Sequence, residues 1–446
     1  MLLRLILENF LSFDTAQEFN MFPNRKRKGN VKHIYSSNRL PLLKQAAIYG
    51  NNAAGKSNLF KGVQVLRRFA LEETFLSESF VIRHRYRLRE DREARPIELL
   101  VEFETQGQYF IYDVAVSERG VEREDLYLSG IGVEENILLY HRALEVIELG
   151  EVLLKAQQEQ WQHTKDIVER MLGESHRYAS FLSLLKTFPV LEDEAVKKAY
   201  RWFDQGLSVI EMHSELPRLI ALLDRDEKVL TFVNRVFSQL SIGVDGVQVH
   251  SMDADEWLRN HSEDLTSEAL KQLQNNQVLS AYSSTHRPLF STLMEEGRMK
   301  VQELLFKQVS QAGTFDLDVQ AQSDGTVRIL TLLPAIYAAV NSEKTVFIDE
   351  INHCLHPQLL FDLVHFFADS DTRGQLIFST HETELMEQNR LLRSDEIWLV
   401  EKVLGSSSLY SLDEFKLHQT ISIRRGYREG RFGGSYQGDI ELDSNA

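Results

Sequence analysis

The chain has 446 residues, room for two or three domains with large cores, and its 43% hydrophobic and 26% charged residues are those of a globular protein. A net charge of −16 argues against a broad nucleic-acid coat, although it leaves a local groove open. The single cysteine, Cys354, excludes an intramolecular disulfide and suits a reducing, cytoplasmic setting, and the longest apolar run, Ile329 to Val340, is too short to span a bilayer.

Leu3, Leu5 and Leu7 alternate with Arg4, Ile6 and Glu8, which predicts a strand and no secretory signal. Phe10-Leu11-Ser12-Phe13 follows as a loop. Arg25-Lys26-Arg27-Lys28 is a basic run with two readings, a solvated loop tip, which is favoured, and a contact to nucleic acid or nucleotide. Ala46-Ala47-Ile48-Tyr49 is a short apolar strand, and a helix begins near Asn58 and runs to about Glu73.

Between that strand and that helix stands Gly50-Asn51-Asn52-Ala53-Ala54-Gly55-Lys56-Ser57, which fits the phosphate-loop pattern G-x-x-x-x-G-K-[ST] in the context the pattern requires. Two glycines let the backbone curl so that its N–H groups face one concavity, and the helix start adds partial positive charge. Lys56 is placed to reach the terminal phosphates of ATP, and Ser57 to put a hydroxyl on Mg²⁺.

From Arg83 to Tyr140 the period changes to two. Ile97 to Glu104 and Gln108 to Val116 flank Thr105-Gln106-Gly107 as a hairpin, with a further strand near Glu124 to Leu128. From about 150 to 300 apolar residues recur at helical spacing, in the sets Trp161, Ile167, Val168, Met171, Leu172, then Val196, Ala199, Trp202, Phe203, and most clearly Val229, Phe232, Val233, Val236, Phe237, Leu240. These are core or packing stripes rather than a cofactor box. Asn260 to Gln277 is polar, a loop or an exposed helix.

The last third returns to alternating strands and helices. A buried helix is expected over 329–340, a strand over 344–348, a helix over 357–367, and strands over 375–379 and 396–400, which together imply a parallel sheet. The tail from Arg424 to Gly434 is basic and Gly-rich. The expected fold is α/β, a mixed sheet plus a parallel phosphate-loop sheet, with an inserted and mainly helical domain. The expected division is 1–150, 151–300 and 301–446.

Three more stretches supply what ATP hydrolysis needs. Asp349 and Glu350 end an apolar strand; Asp349 is placed to hold Mg²⁺ through water, and Glu350 to orient and deprotonate the attacking water. His381 ends the strand Leu376 to Thr380, one helix later, where a neighbouring strand brings it toward the γ-phosphate. Ser323 and Gly325, before the helix at 329–340, make an anion-binding helix end, although a plain N-cap is also consistent with them.

In the order phosphate loop, S-x-G-x-x-R, strand-Asp-Glu and strand-Thr-His, the sequence resembles the ABC-type ATPase heads shared by SMC-type and OLD-family proteins, within the AAA family. It is also similar to the ATPase subunits of the PARIS and Septu-type anti-phage systems. The likeness rests on Glu8-Asn9-Phe10-Leu11-Ser12-Phe13, Gln322 to Thr326, Phe347 to Pro357, Gln375 to Glu382, Asp395 to Lys402, Leu409 to Phe415 and Tyr427 to Gly433. It covers roughly residues 1–130 and 300–440. The signature carries Gln322 and Asp324 where ABC transporters have Leu-Ser-Gly-Gly-Gln, and the glutamine that links γ-phosphate to the lid has no assigned position.

The resemblance implies an ATPase that binds ATP and Mg²⁺ through Gly50 to Asn58. It implies a head-to-head homodimer in which Ser323 and Gly325 meet the partner copy's nucleotide. It further implies a role in anti-phage defence, with a phage-encoded trigger and a separate toxic effector, expected to be a nuclease, because the stretch after His381 is too short for the nuclease domain of OLD proteins. The rival is a DNA-repair ATPase of SMC or RecF type acting directly on nucleic acid, for which Arg25 to Lys28 and the basic tail speak. No membrane partner is implied.

Overall fold

The computed structural model describes residues 1–27, 29–36, 39–89, 95–187, 193–210, 216–261, 280–282, 288–295, 297–387, 391–415 and 422–435. The chain forms two compact units. The first comprises 1–209, 338–352 and 357–446, and the second 210–337 and 353–356.

Two sheets make up most of the first unit. One has seven strands, every neighbouring pair antiparallel, in the spatial order Val146–Leu149, Ile137–Ala143, Gly120–Leu128, Gln108–Ser117, Ile97–Thr105, Leu2–Glu8, Gln17–Asn20. The other runs Leu207–Ile210, Thr345–Ile348, Gln375–Ser379, Gln45–Gly50, Ile397–Val403, Ser406–Ser411. Its four central strands are parallel, as the alternation of strands and helices predicts. The expected mixture of an antiparallel sheet and a parallel phosphate-loop sheet is therefore what the chain builds.

The helix Lys56–Leu71 packs against both sheets. Phe60 meets Phe347 of the parallel sheet edge-on at 5.6 Å between ring centroids, and Phe69 lies 6.5 Å from Tyr112 of the antiparallel one. Gln375 ties the sheets together: its amide donates to the carbonyls of Leu2 (3.0 Å) and Leu43 (3.1 Å), and its oxygen accepts from Leu2 N at 2.5 Å. Buried and fully engaged, one side chain thus fixes where the N-terminal strand meets the parallel sheet.

The helices Glu151–Gly173, Phe181–Thr187 and Glu194–Arg201 also belong to the first unit. Their aromatics explain why. Trp202 stacks on Phe103 at 4.0 Å, and Phe181 meets Tyr140 edge-on at 4.9 Å, so the antiparallel sheet buries its inner face under them. Ile167, read as part of the apolar stripe, is 59% exposed, whereas Trp161, Val168 and Leu172 are buried.

The second unit joins helices to a sheet that the apolar spacing did not announce. Leu216–Arg225 and Glu227–Gln239 precede the strand Val244–Asp253, which pairs with Arg298–Ser310; Pro288–Glu295 and Gly313–Asp318 pair with Arg298–Ser310 in turn. The amphipathic face of Glu227–Gln239 buries Val229, Phe232, Val233 and Phe237, and Phe237 meets Phe306 of the sheet edge-on. Most of the polar stretch 260–277 lies outside the described residues. Among the described residues no helix is long and apolar enough to cross a membrane.

Candidate functional site

The strand Gln45–Gly50 is buried at all six positions and delivers the loop at its C-terminal end. At Gly50 a Cβ would stand 2.5 Å from the carbonyl oxygen of Val400 on the adjacent strand, so only glycine lets the chain leave the sheet there. The loop closes on itself through Ala54 N to Asn51 O (3.1 Å), and Asn58 N and Leu59 N both donate to Gly55 O, at 3.0 and 3.3 Å. Asn52 and Ala53 are exposed, and Ala53 holds a left-handed φ of +61°.

Lys56 opens the helix and folds back over the loop. Its Nζ donates to the carbonyls of Gly50 (2.9 Å) and Asn51 (3.1 Å), and the residue is only 5% exposed. Burial lowers its pKa to about 8, against the pull of the Glu350 and Asp349 carboxylates, which favour the charged form. Ser57 and Asn58 are half-buried on the first turn.

The strand Gln375–Ser379 lies between the phosphate-loop strand and Thr345–Ile348, in parallel register with both. It acts as a splint for the acidic pair. Ser379 Oγ donates to Asp349 Oδ1 at 2.5 Å and accepts from Glu350 N at 2.7 Å, while Ser379 O accepts from Ile351 N at 3.0 Å. Glu350 has a left-handed φ of +48°, a conformation that costs a non-glycine residue on the order of 1 kcal/mol and is kept here by these bonds. Two residues on, Asn352 Oδ1 accepts from Thr380 Oγ1 (3.0 Å) and from the His381 backbone N–H (3.3 Å).

His381 follows and is exposed. Partial desolvation and the nearby Lys56 ammonium lower its pKa, opposed by Glu350 and Asp349. Lys56, Asp349, Glu350 and His381 therefore lie within electrostatic reach of one another at one end of the parallel sheet, although they come from three distant stretches. Ser379 and Asn352, which align this group, were not singled out in the sequence, and Thr380 entered only as part of the strand-Thr-His order. A hydroxyl at the end of a buried strand beside an acidic pair was the available signal.

Ser57 and Asp349 are the donors expected to hold a divalent cation. One hydroxyl (Ser57) and one carboxylate (Asp349) are too few for an all-protein cage, and among the described residues no group of three or more His, Cys, Asp or Glu could hold a metal. That sparse set suits Mg²⁺, which keeps its waters and takes phosphate oxygens.

Ser323 and Gly325 lie in the second unit. Ser323 Oγ accepts from Thr326 N at 3.1 Å and bonds Thr326 Oγ1 at 2.8 Å, so it caps the helix Asp324–Asn341. The tail is not a free basic arm. Tyr427 and Phe432 are buried, Tyr427 OH donates to Gly434 O (2.9 Å), and Arg424 pairs with Glu384 and Glu387. Arg425 and Arg431 both pair with Glu429. In the other basic run Arg27 pairs with Asp413 at 2.7 Å, Arg25 and Lys26 are exposed, and Lys28 lies outside the described residues.

Residues 46–142 and 221–387 match the family described as "AAA domain, putative AbiEii toxin, Type IV TA system". No curated protein matches the sequence. Among solved structures the chain is similar to the SMC head domain from Thermotoga maritima, at 14% identity and a TM-score of 0.39, over 92% of this chain and 98% of that one. A second is the SMC head bound to the C-winged helix domain of ScpA, at 12% identity and a TM-score of 0.47, covering 96% and 99%. A third is the Pyrococcus furiosus SMC head with an extended coiled coil bound to the C-terminal domain of ScpA, at 13% identity and a TM-score of 0.42, covering 93% and 97%.

Proposed function

The chain belongs to that AAA-domain family, and from this membership we propose that it is an ABC-type ATPase that binds ATP with Mg²⁺ through Gly50 to Asn58 and hydrolyses it. The observation that carries the proposal is the grouping of Lys56, Asp349, Glu350 and His381 around one strand end, with the Glu350 backbone pinned by Ser379.

Each residue has a part. Lys56 exchanges its two loop carbonyls for phosphate oxygens, a better partner for an ammonium held in a poorly solvated place. Ser57 and Asp349 would hold the cation, which neutralises charge on the phosphates. Glu350 orients the attacking water and takes its proton, while His381 donates toward the charge that develops on the transferred phosphoryl group. Ser323 and Gly325 act on the nucleotide of a second copy in a head-to-head dimer. If so, a Ser323→Arg chain and a Lys56→Ala chain, each inactive alone, recover part of the turnover when mixed, because one heterodimer site keeps both intact halves. Loss of all turnover despite proven mixing contradicts completion across the dimer.

We further propose that the ATPase senses infection and holds or releases a separate toxic effector, with a nuclease as the expected class. The family description, which names an AbiEii toxin of a type IV TA system, supports a place in such systems. The rival reading, an ATPase acting directly on DNA, is weakened because three of the four tail arginines are paired with glutamates of the chain. Nucleotide controls the complex only if the ATP-bound and empty states differ in affinity for effector or trigger. The test is phage challenge of cells carrying this gene alone, with its genomic neighbour, and with the neighbour plus Lys56→Ala or Glu350→Gln. Protection is expected only from the intact pair. Full protection by the single gene, or by the Lys56→Ala pair, overturns the reading.

A further inference from the structure

Beside the phosphate loop three polar side chains from remote points of the sequence form a chain. Asn58 Nδ2 lies 2.7 Å from Ser12 Oγ, Ser12 Oγ lies 2.8 Å from Ser407 Oγ, and Ser407 Oγ lies 2.5 Å from the carbonyl oxygen of Ala54. Proton counting sets the direction. An amide N–H only donates, a carbonyl only accepts, and each hydroxyl has one proton to give. The run is therefore Asn58 N–H to Ser12, Ser12 O–H to Ser407, and Ser407 O–H to Ala54 O.

The backbone holds both serines in place. Ser407 N donates to Ser12 O at 2.7 Å, and Ser12 sits in a tight turn where Phe10 and Phe13 exchange backbone bonds of 2.9 Å. Ser12 is 6% exposed and Ser407 1% exposed. Gly55, at a φ of +119°, completes the fit: a Cβ there would stand 2.6 Å from Ser407 Oγ and 2.8 Å from Ser12 Oγ. The second loop glycine is thus needed for the approach of the two serines as well as for its backbone angle.

We propose that Ser12 and Ser407 are positioning residues of the nucleotide site, which commit the Ala54 carbonyl to Ser407 and so present the loop's N–H groups, not a carbonyl, to the phosphates. A carbonyl oxygen turned toward a polyphosphate would repel it, and a loop free to turn either way binds with only the fraction of its population that is correctly turned. This inference rests on the ATP-binding reading above.

The experiment is titration of the full chain with a fluorescent ADP, alongside thermal melting, for the wild type, Ser407→Ala, Ser12→Ala, the double variant and Ser408→Ala, the exposed neighbour on the same strand. Ser407→Ala should weaken ADP binding about three- to tenfold, the scale of one net hydrogen bond, and Ser407→Thr, which keeps the hydroxyl, should bind more tightly than Ser407→Ala. The double variant should bind like the weaker single one, since both break one chain. Ser408→Ala should match the wild type. If Ser407→Ala fails to fold, Ser12→Ala carries the test, with the same expected weakening. Unchanged ADP affinity in Ser12→Ala and in a folded Ser407→Ala overturns this proposal alone. A wild-type chain that binds no ADP overturns the nucleotide reading and this one with it.

Discussion

Two glutamates of the first unit sit in opposite settings. Glu124, in the antiparallel sheet, is fully buried, and its carboxylate accepts from Tyr112 OH (2.9 Å), Tyr140 OH (2.8 Å), Phe181 N (2.7 Å) and Leu182 N (3.2 Å), with Arg142 at 3.5 Å. Glu350, just past the C-terminal end of a strand of the parallel sheet, is partly open to solvent, has a left-handed backbone and is fixed through its main chain by Ser379. Saturation on every side marks an acid whose work is to hold the fold. Backbone fixation at a strained, solvent-reaching position marks one arranged to act on something else.

The contrast breaks most visibly at Glu124. Glu124→Ala strands a buried arginine and two tyrosines, and should cost about 3–5 kcal/mol in a urea or thermal unfolding experiment. ATP turnover per folded molecule should hardly change. Stability equal to wild type would mean that the network is not the structural lock described.

Ser379→Ala comes next. It removes the hydroxyl that joins Asp349 to the Glu350 N–H and should lower kcat about tenfold, with nucleotide affinity nearly intact, because the strained φ of Glu350 loses a restraint. Stopped turnover assays at saturating ATP check this, and an unchanged kcat removes Ser379 from the alignment of the acid.

The smallest effect is electrostatic. Burial lowers the Lys56 pKa to about 8, so the residue is half neutral near that pH, and phosphates binding beside it would favour the charged form. Nucleotide binding should take up protons at pH 8.5 and weaken as pH rises through about 8. Calorimetry in two buffers of different ionisation enthalpy measures the uptake. In Glu350→Gln, where one of the groups that favour charged Lys56 is gone, the uptake should begin at lower pH. No proton uptake at pH 8.5 would mean that Lys56 is not the group that meets the phosphates.

Much of the placement of the candidate site was legible in the sequence because its signals are local: Gly50 to Ser57 between a strand and a helix, and Asp349, Glu350 and His381 each just after a buried strand. The positions that align them were not legible. Ser379 and Glu350 meet across 29 residues, and Ser12 and Ser407 across 395, and nothing in a run of ordinary serines announces such a meeting. The sheet of the second unit escaped for a different reason. Strands such as Gly313–Asp318 are exposed throughout and carry no clean apolar alternation. A helical stripe also does not say which unit it packs into, which is why Trp202 on Phe103 had to be seen. The partners of the basic, Gly-rich tail were not legible either: Glu384, Glu387 and Glu429 take up three of its arginines, and Glu384 and Glu387 lie some forty residues before them.

The central claim is that Glu350 acts on water at a site that Lys56 helps to bind. The most direct measurement is ATP affinity and single-turnover hydrolysis in one preparation each of wild type and Glu350→Gln. The account predicts equal affinity, hydrolysis slower by on the order of 10²-fold, and an ATP-bound species that persists in the variant. Near-normal hydrolysis in Glu350→Gln, or loss of ATP binding in it, would contradict the account.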